Sequence, residues 1–171
     1  MSDPLPFDPV ERAGESWAKH YPEAGELTYD AMRAVTSIMR AQQILIANLD
    51  AGLKPFNLTF SRYEALVLLS FSSTGALPLS KIGERLQVHA TSVTNVIDRL
   101  EASGFVVREP NPRDGRGTLA VLTDEGRVVV DRATRELHRN AFGLQGLAPE
   151  ELQQLFSILR RLRIDAGDFS A

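Results

Sequence analysis

Thr91, Ser92, Thr94 and Asn95 place four short hydrogen-bonding side chains within five positions of the sequence, and Arg99 follows one helical turn later. Hydroxyl and carboxamide groups of this size donate to and accept from base edges, and guanidinium groups bind phosphate. A second cluster, Asn111-Pro112-Arg113-Asp114-Gly115-Arg116-Gly117, sets two arginines among turn-forming residues. Such a loop projects, and it can carry Arg113 and Arg116 into a narrow, electronegative groove of a duplex. The chemistry on offer is recognition. There is no glycine-rich phosphate loop, no metal-ligand spacing and no nucleophile with a base and an orienting group, so neither an enzyme nor a bound cofactor or metal is expected.

These side chains need a scaffold that turns them outward. Residues 90–103 place Val93, Val96, Ile97 and Leu100 on one helical stripe, so that Thr91, Asn95 and Asp98 face away from it and Ser92 and Arg99 flank the outer face. Gly104 stands where a left-handed residue ends the helix. Asp98 is an anion on that outer face, and pairing with Arg99 or with an arginine of the wing is its expected role. A short helix over residues 80–86, capped by Ser80 and turning Ile82 and Leu86 inward, precedes a tight turn at residues 87–89. Residues 105–109 and 118–122 are rich in β-formers and read as a hairpin with its tip at residues 110–117. Two helices joined by a tight turn and followed by a hairpin form a unit whose second helix enters a major groove about 12 Å wide.

Helical patterns surround this unit. Residues 7–21 carry Val10, Trp17 and Tyr21 on one face behind an Asp8-Pro9 start, and residues 27–53 repeat apolar positions at Val35, Ile38, Met39, Leu45, Ile46 and Leu49. Thr59 or Ser61, the latter in a Ser61-x-x-Glu64 capping box, opens a helix that buries Tyr63, Leu66, Val67 and Leu69. Residues 71–77 read as a loop. Thr123 caps a helix running toward Phe142, residues 143–146 break it, and Pro149 opens a last helix with its stripe at Leu152, Leu155, Phe156, Leu159 and Leu162. The expected fold class is mainly α with a small β-hairpin wing, a winged helix-turn-helix plus a helical dimerisation region. The expected division is an N-terminal arm at 1–26, a dimerisation region at 27–58 and 124–171, and a DNA-binding region at 59–123.

Composition narrows the setting. The 171 residues contain no cysteine, which excludes disulfides, thiolate metal sites and thiol redox switching. No apolar run approaches the roughly 18 residues of a membrane span, and the acidic, proline-containing start lacks the pattern of a secretory signal, so a cytoplasmic location is expected. The net charge of −3 is unevenly spread: residues 1–30 hold seven acids and two bases, while residues 79–117 hold six bases and five acids. With so weak a local excess of positive charge, DNA affinity depends on placement and on two copies acting together.

The strings Leu79-Ser80-Lys81-Ile82-Gly83-Glu84-Arg85-Leu86, Asp98-Arg99-Leu100-Glu101, Asn111 to Gly117 and Leu122-Thr123-Asp124-Glu125-Gly126 resemble the multiple-antibiotic-resistance regulator (MarR) family across residues 27–162. The most specific part is the wing, where Asp114 and Arg116 meet the family's Asp-x-Arg pattern. The resemblance implies a homodimeric transcription regulator, typically a repressor, that binds pseudo-palindromic double-stranded DNA and is released by a small ligand. It also implies that Arg116 is the minor-groove residue. His89 replaces the family's usual Ser or Asp cap, and Asn95 stands where Arg is common; Asn pairs bidentately with adenine where Arg prefers guanine, so the operator sequence is not one to copy from relatives. The family's ligand pocket lies between the dimerisation helices and the DNA-reading lobe, which makes Trp17, His20, Tyr21, Arg40, Gln43 and Tyr63 candidates for a small aromatic or anionic effector. The alternative reading is a winged-helix protein-interaction module without DNA binding.

Overall fold

The computed structural model describes residues 4–112, 114 and 117–170. The chain divides into two compact units, the first ending at Asn48 and the second starting at Leu49.

In the first unit, α1 (Pro9–His20) begins where Asp8, in extended conformation, accepts a hydrogen bond from the Val10 amide at 2.8 Å, with Pro9 in the first helical position. A 3-10 turn (Pro22–Ala24) and Gly25 at φ 78° lead into α2 (Glu26–Leu53), which continues into the second unit. Tyr29 is buried and its hydroxyl donates to the Tyr21 carbonyl at 2.7 Å. Gly14 meets Arg33 so closely that a β-carbon there would lie 2.4 Å from Nε, so glycine permits this contact.

In the second unit the chain passes through a 3-10 turn (Lys54–Phe56) to α3 (Phe60–Ser70). Thr59, and not Ser61, is its cap, accepting from the Arg62 amide. Next come β1 (Ala76–Pro78), α4 (Leu79–Leu86), α5 (Ala90–Ala102), β2 (Val106–Pro110), β3 (Thr118–Leu122), α6 (Asp124–Arg139), a 3-10 turn (Ala141–Gly143) and α7 (Pro149–Asp165). The core joins Leu53, Leu66 and Leu69 with Ile82, Ile97, Leu100 and Val106, all essentially inaccessible to solvent. The described residues are mainly helical with one small sheet, as expected, and none of their helices is long and apolar enough to cross a membrane.

Three local expectations are corrected. The sheet has three strands in the order β1-β3-β2, because residues 76–78, within and next to the expected loop, pair antiparallel with β3 through Ala76↔Val121 and Pro78↔Leu119. That pairing keeps the chain extended up to Pro78, so α4 starts at Leu79 without a side-chain cap and Ser80 falls inside its first turn. The helix expected to reach Phe142 stops at Arg139, since Ala141 and Phe142 take positive φ values of 42° and 53°.

Candidate nucleic-acid interface

The local sequence turns α5 outward in a defined way. His89 is extended (φ −63°, ψ 148°) and its Nδ1 accepts from the Thr91 amide at 3.3 Å, a role that requires the ring proton on Nε2. Val93, Ile97 and Leu100 are buried at 2%, 0% and 0% exposure, which fixes the rotation of the helix. Thr91, Ser92, Thr94, Asn95 and Arg99 are all exposed as a consequence. Ser92, Asn95 and Arg99 line a groove of about 450 Å³ together with Thr59, Ser61 and Arg62 from the start of α3. Thr94 lies on the opposite flank, in a groove shared with Ser80 and Gly83 of α4, and its hydroxyl donates to the Ala90 carbonyl at 3.1 Å.

Sequence reasoning did not single out Arg108, which braces the helix from β2. Its Nη2 lies 2.6 Å from Asp98 Oδ1, its Nη1 donates to Glu101 Oε2, and the Arg108 amide donates to Glu101 Oε1 at 3.2 Å. Asp98 therefore pairs with an arginine of the wing strand, Arg108, and not with Arg99. Burial disfavours the Arg108 charge, yet the hydrogen bonds to Asp98 and Glu101 outweigh it and hold the guanidinium more firmly protonated than usual. The chemical result is a recognition helix and a hairpin tied to one another by a cation between two acids. The signal in the sequence was Asp98 and Glu101 at a spacing of three, which places both carboxylates over one strand.

The hairpin has five registered pairs, from Val106↔Leu122 to Pro110↔Thr118, and its neck is closed by the Asn111 amide donating to the Gly117 carbonyl at 2.9 Å. Arg113 and Arg116, the expected groove and backbone contacts, lie outside the described residues. The Leu-Thr-x-x-Gly segment after the hairpin has a clear physical basis. Leu122 is buried, Thr123 Oγ1 accepts from the Gly126 amide at 2.9 Å while donating to the Gly104 carbonyl at 2.8 Å, and a β-carbon at Gly126 would lie 2.1 Å from the Phe105 carbonyl oxygen. This locks the start of α6 onto the base of the wing.

The expected effector residues are only partly gathered. At the end of α1 the Trp17 and Tyr21 rings stand 5.3 Å apart, both exposed, and His20 Nδ1 meets the Ser16 carbonyl at 2.8 Å. Arg40 and Gln43 are exposed on α2, and no hydrogen bond or ring contact among the described residues joins them to that cluster. Tyr63 belongs to the second unit, where it is buried with its hydroxyl 3.1 Å from Thr134 Oγ1. It lines a groove of about 710 Å³ between α3 and α6 whose other walls, including Phe60, Glu64, Phe71 and His138, sequence reasoning did not assign to a site. Among the described residues no group of three potential ligands is placed to hold a metal ion.

A model of the MarR family matches residues 59–118, the segment from the α3 cap to the start of β3. The uncharacterised helix-turn-helix transcriptional regulator YkoM of Bacillus subtilis is 39% identical over 107 residues, covering 61% of this chain and 69% of that protein. The crystal structure of Sco5413, a MarR family transcriptional regulator from Streptomyces coelicolor, superposes with a TM-score of 0.77 at 58% identity, covering 83% of this chain and 99% of that one. Sco3205, a MarR family regulator from the same organism solved in complex with DNA, gives 0.70 at 28% identity over 75% of this chain and 86% of that one. With the helix-turn-helix, its braced wing and these likenesses together, the chain belongs to the MarR family of transcriptional regulators.

Proposed function

We propose that the protein is a homodimeric transcription regulator that reads double-stranded DNA, placing α5 in the major groove with Thr91, Ser92, Thr94 and Asn95 at base edges and Arg99 on phosphate. The observation that carries this reading is the exposed polar face of α5 set over three buried apolar residues and held to the wing by Arg108. The DNA complex of the 28% identical Sco3205 supports it. By the family resemblance Arg116 enters the minor groove, and Arg113 of the same loop is a further candidate contact. Residues 59–123 form the reading unit, residues 27–58 and 124–171 the dimerisation region and residues 1–26 an arm, and the protein works in the cytoplasm.

A second copy of the chain is the occupant we assign to the apolar side of α7. That helix buries none of its residues in the single chain, leaving Phe156 and Leu162 of its apolar stripe more than half exposed. A two-fold dimer covers such a face and presents two recognition helices to the two halves of a pseudo-palindromic site about one duplex turn apart. Two copies also double a local charge excess that is slight in one. Repression relieved by a small effector completes the reading, with Trp17, His20, Tyr21, Arg40, Gln43 and Tyr63 as the sequence-based candidates.

The test is base preference. Asn95→Ala is expected to relax selectivity at one base pair per half-site, costing about 1 to 3 kcal/mol there, whereas Arg116→Ala weakens binding to all sequences and lowers the salt slope. If neither substitution alters binding to a duplex from the protein's own upstream region, α5 and the wing are not the reading surface. Binding of a protein partner by the same surface would then be the better account.

A further inference from the structure

Thr91 opens the reading face of α5, and the polarity of its hydroxyl is set by a group that can change charge. His89 Nδ1 lies 3.3 Å from the Thr91 amide nitrogen and 3.1 Å from the Thr91 hydroxyl oxygen. The amide can only donate, and no backbone carbonyl among the described residues takes its hydrogen, so Nδ1 is the acceptor. Towards an accepting nitrogen the hydroxyl has one role left, that of a second donor. A single lone pair then serves two donors, which agrees with the length of both contacts. The Thr91 hydroxyl hydrogen is thereby occupied, and its oxygen meets a duplex as an acceptor. Thr94 provides the contrast: its hydroxyl donates to the Ala90 carbonyl at 3.1 Å, and a peptide carbonyl does not titrate where an imidazole does. His89 is exposed, so a proton reaches Nδ1 without any opening of the core. The charged groups on the elements around it are engaged elsewhere or lie apart from the ring. On α4, Lys81 is paired with Glu84 at 2.9 Å and Arg85 is exposed. On β2, Arg108 is held by Asp98 and Glu101 of α5, while Glu109 and Arg99 are exposed. On α3, Arg62 is bonded to Thr59 and Asn57, and Glu64 is half-buried. Among the described residues the hydrogen bonds of the His89 ring go to Thr91 alone.

We propose that His89 determines the base preference of Thr91: with the ring neutral, Thr91 accepts from the exocyclic amino group of adenine or cytosine, and with the ring protonated that preference is lost. A protonated imidazole carries hydrogen on both nitrogens. Nδ1 then donates to the Thr91 oxygen, the hydroxyl hydrogen turns outward to the carbonyl edge of guanine or thymine, and the Thr91 amide loses its acceptor. The added positive charge opposes the dipole at the start of α5 but attracts phosphate of any sequence, so acid lowers selectivity while general affinity holds. His89 is a positioning residue, since it acts on the base through Thr91. The inference rests on the DNA-reading assignment above and deepens it.

The full chain is titrated, by anisotropy, against its own upstream duplex and a set of single-pair variants of that duplex, at about pH 7.5 and about pH 5.5, values that bracket the titration of free imidazole. Thr91→Val removes the hydroxyl and keeps the branched shape, so the base pair at which it erases discrimination is the one Thr91 reads. At that pair the wild type is expected to favour the amino-bearing base about fivefold at the higher pH and about twofold or less at the lower. His89→Asn supplies an oxygen that caps the helix and does not titrate, and it is expected to keep the preference of about fivefold at both values. A wild-type preference unchanged in acid, a preference for a carbonyl at neutral pH, an equal loss in His89→Asn, or no pair sensitive to Thr91→Val each overturns the proposal. Duplex binding that accompanies any of these results leaves the DNA-reading assignment standing. Absence of binding at both pH values removes that assignment and this proposal together.

Discussion

Helices α5 and α7 carry apolar stripes of similar density, yet the chain uses them in opposite ways. In α5 Val93, Ile97 and Leu100 are buried within the reading unit, and in α7 no residue is buried. A stripe satisfied inside the chain fixes the rotation of a helix and frees its other face for work. A stripe left open is the face we assign to a second copy, because contiguous exposed apolar surface of this kind is rarely left in water.

The comparison can be broken most severely at α7. Phe156→Asp with Leu162→Asp is expected to abolish the dimer, weakening self-association by at least about a thousandfold, while the far-UV helical signal persists. Light scattering after gel filtration reads the mass directly. Leu100→Ala tests the other helix: it leaves a cavity in the core and is expected to cost about 2 to 5 kcal/mol in chemical denaturation. Its local cost is the same at every protein concentration, which sets it apart from the α7 changes. Arg108→Ala removes the brace between α5 and the wing; we expect a loss of about 1 to 2 kcal/mol, tempered by the exposure of Asp98 and Glu101, and a larger fractional loss of DNA affinity than of stability. The smallest effect is at Glu64. Its carboxyl binds a proton more tightly folded than unfolded, so it favours the folded state at acid pH and that advantage is lost as pH rises through the raised value. Glu64→Gln is thus expected to gain a few tenths of a kcal/mol at neutral pH, discounted for solvent screening, with the gain vanishing below about pH 4 in thermal melts.

The reading helix was legible because its signals are local. His89, the Val93 to Leu100 stripe and Gly104 lie within sixteen residues, and each acts within a turn or two of the chain. The wing strands were legible for the same reason, shifted by one residue at β2, where Pro110 pairs with Thr118. Strand β1 was not, since three residues show no alternation and the partner of Ala76, Val121, lies 45 positions on. The missing strand also misplaced the start of α4, because a cap at Ser80 is reasonable only when Pro78 is not held in a sheet. Arg108 and Glu64 were hidden by the same distance effect. One acts through two acids on another element and the other through the absence of any partner, and only the packed chain reveals either condition. Tyr63 shows the same limit: its residue type alone does not reveal that its ring is buried or that its hydroxyl meets Thr134 across the α3/α6 groove.

The central claim is that the exposed face of α5 reads duplex DNA from a two-fold dimer. Fluorescence anisotropy of a labelled duplex from the protein's own upstream region, titrated with protein at a series of salt concentrations, tests it most directly. The account predicts saturable binding at a stoichiometry of two chains per site, with an affinity that falls by about three orders of magnitude or more between 50 and 200 mM salt. An anisotropy that stays flat in low salt, or an affinity indifferent to salt, would contradict it.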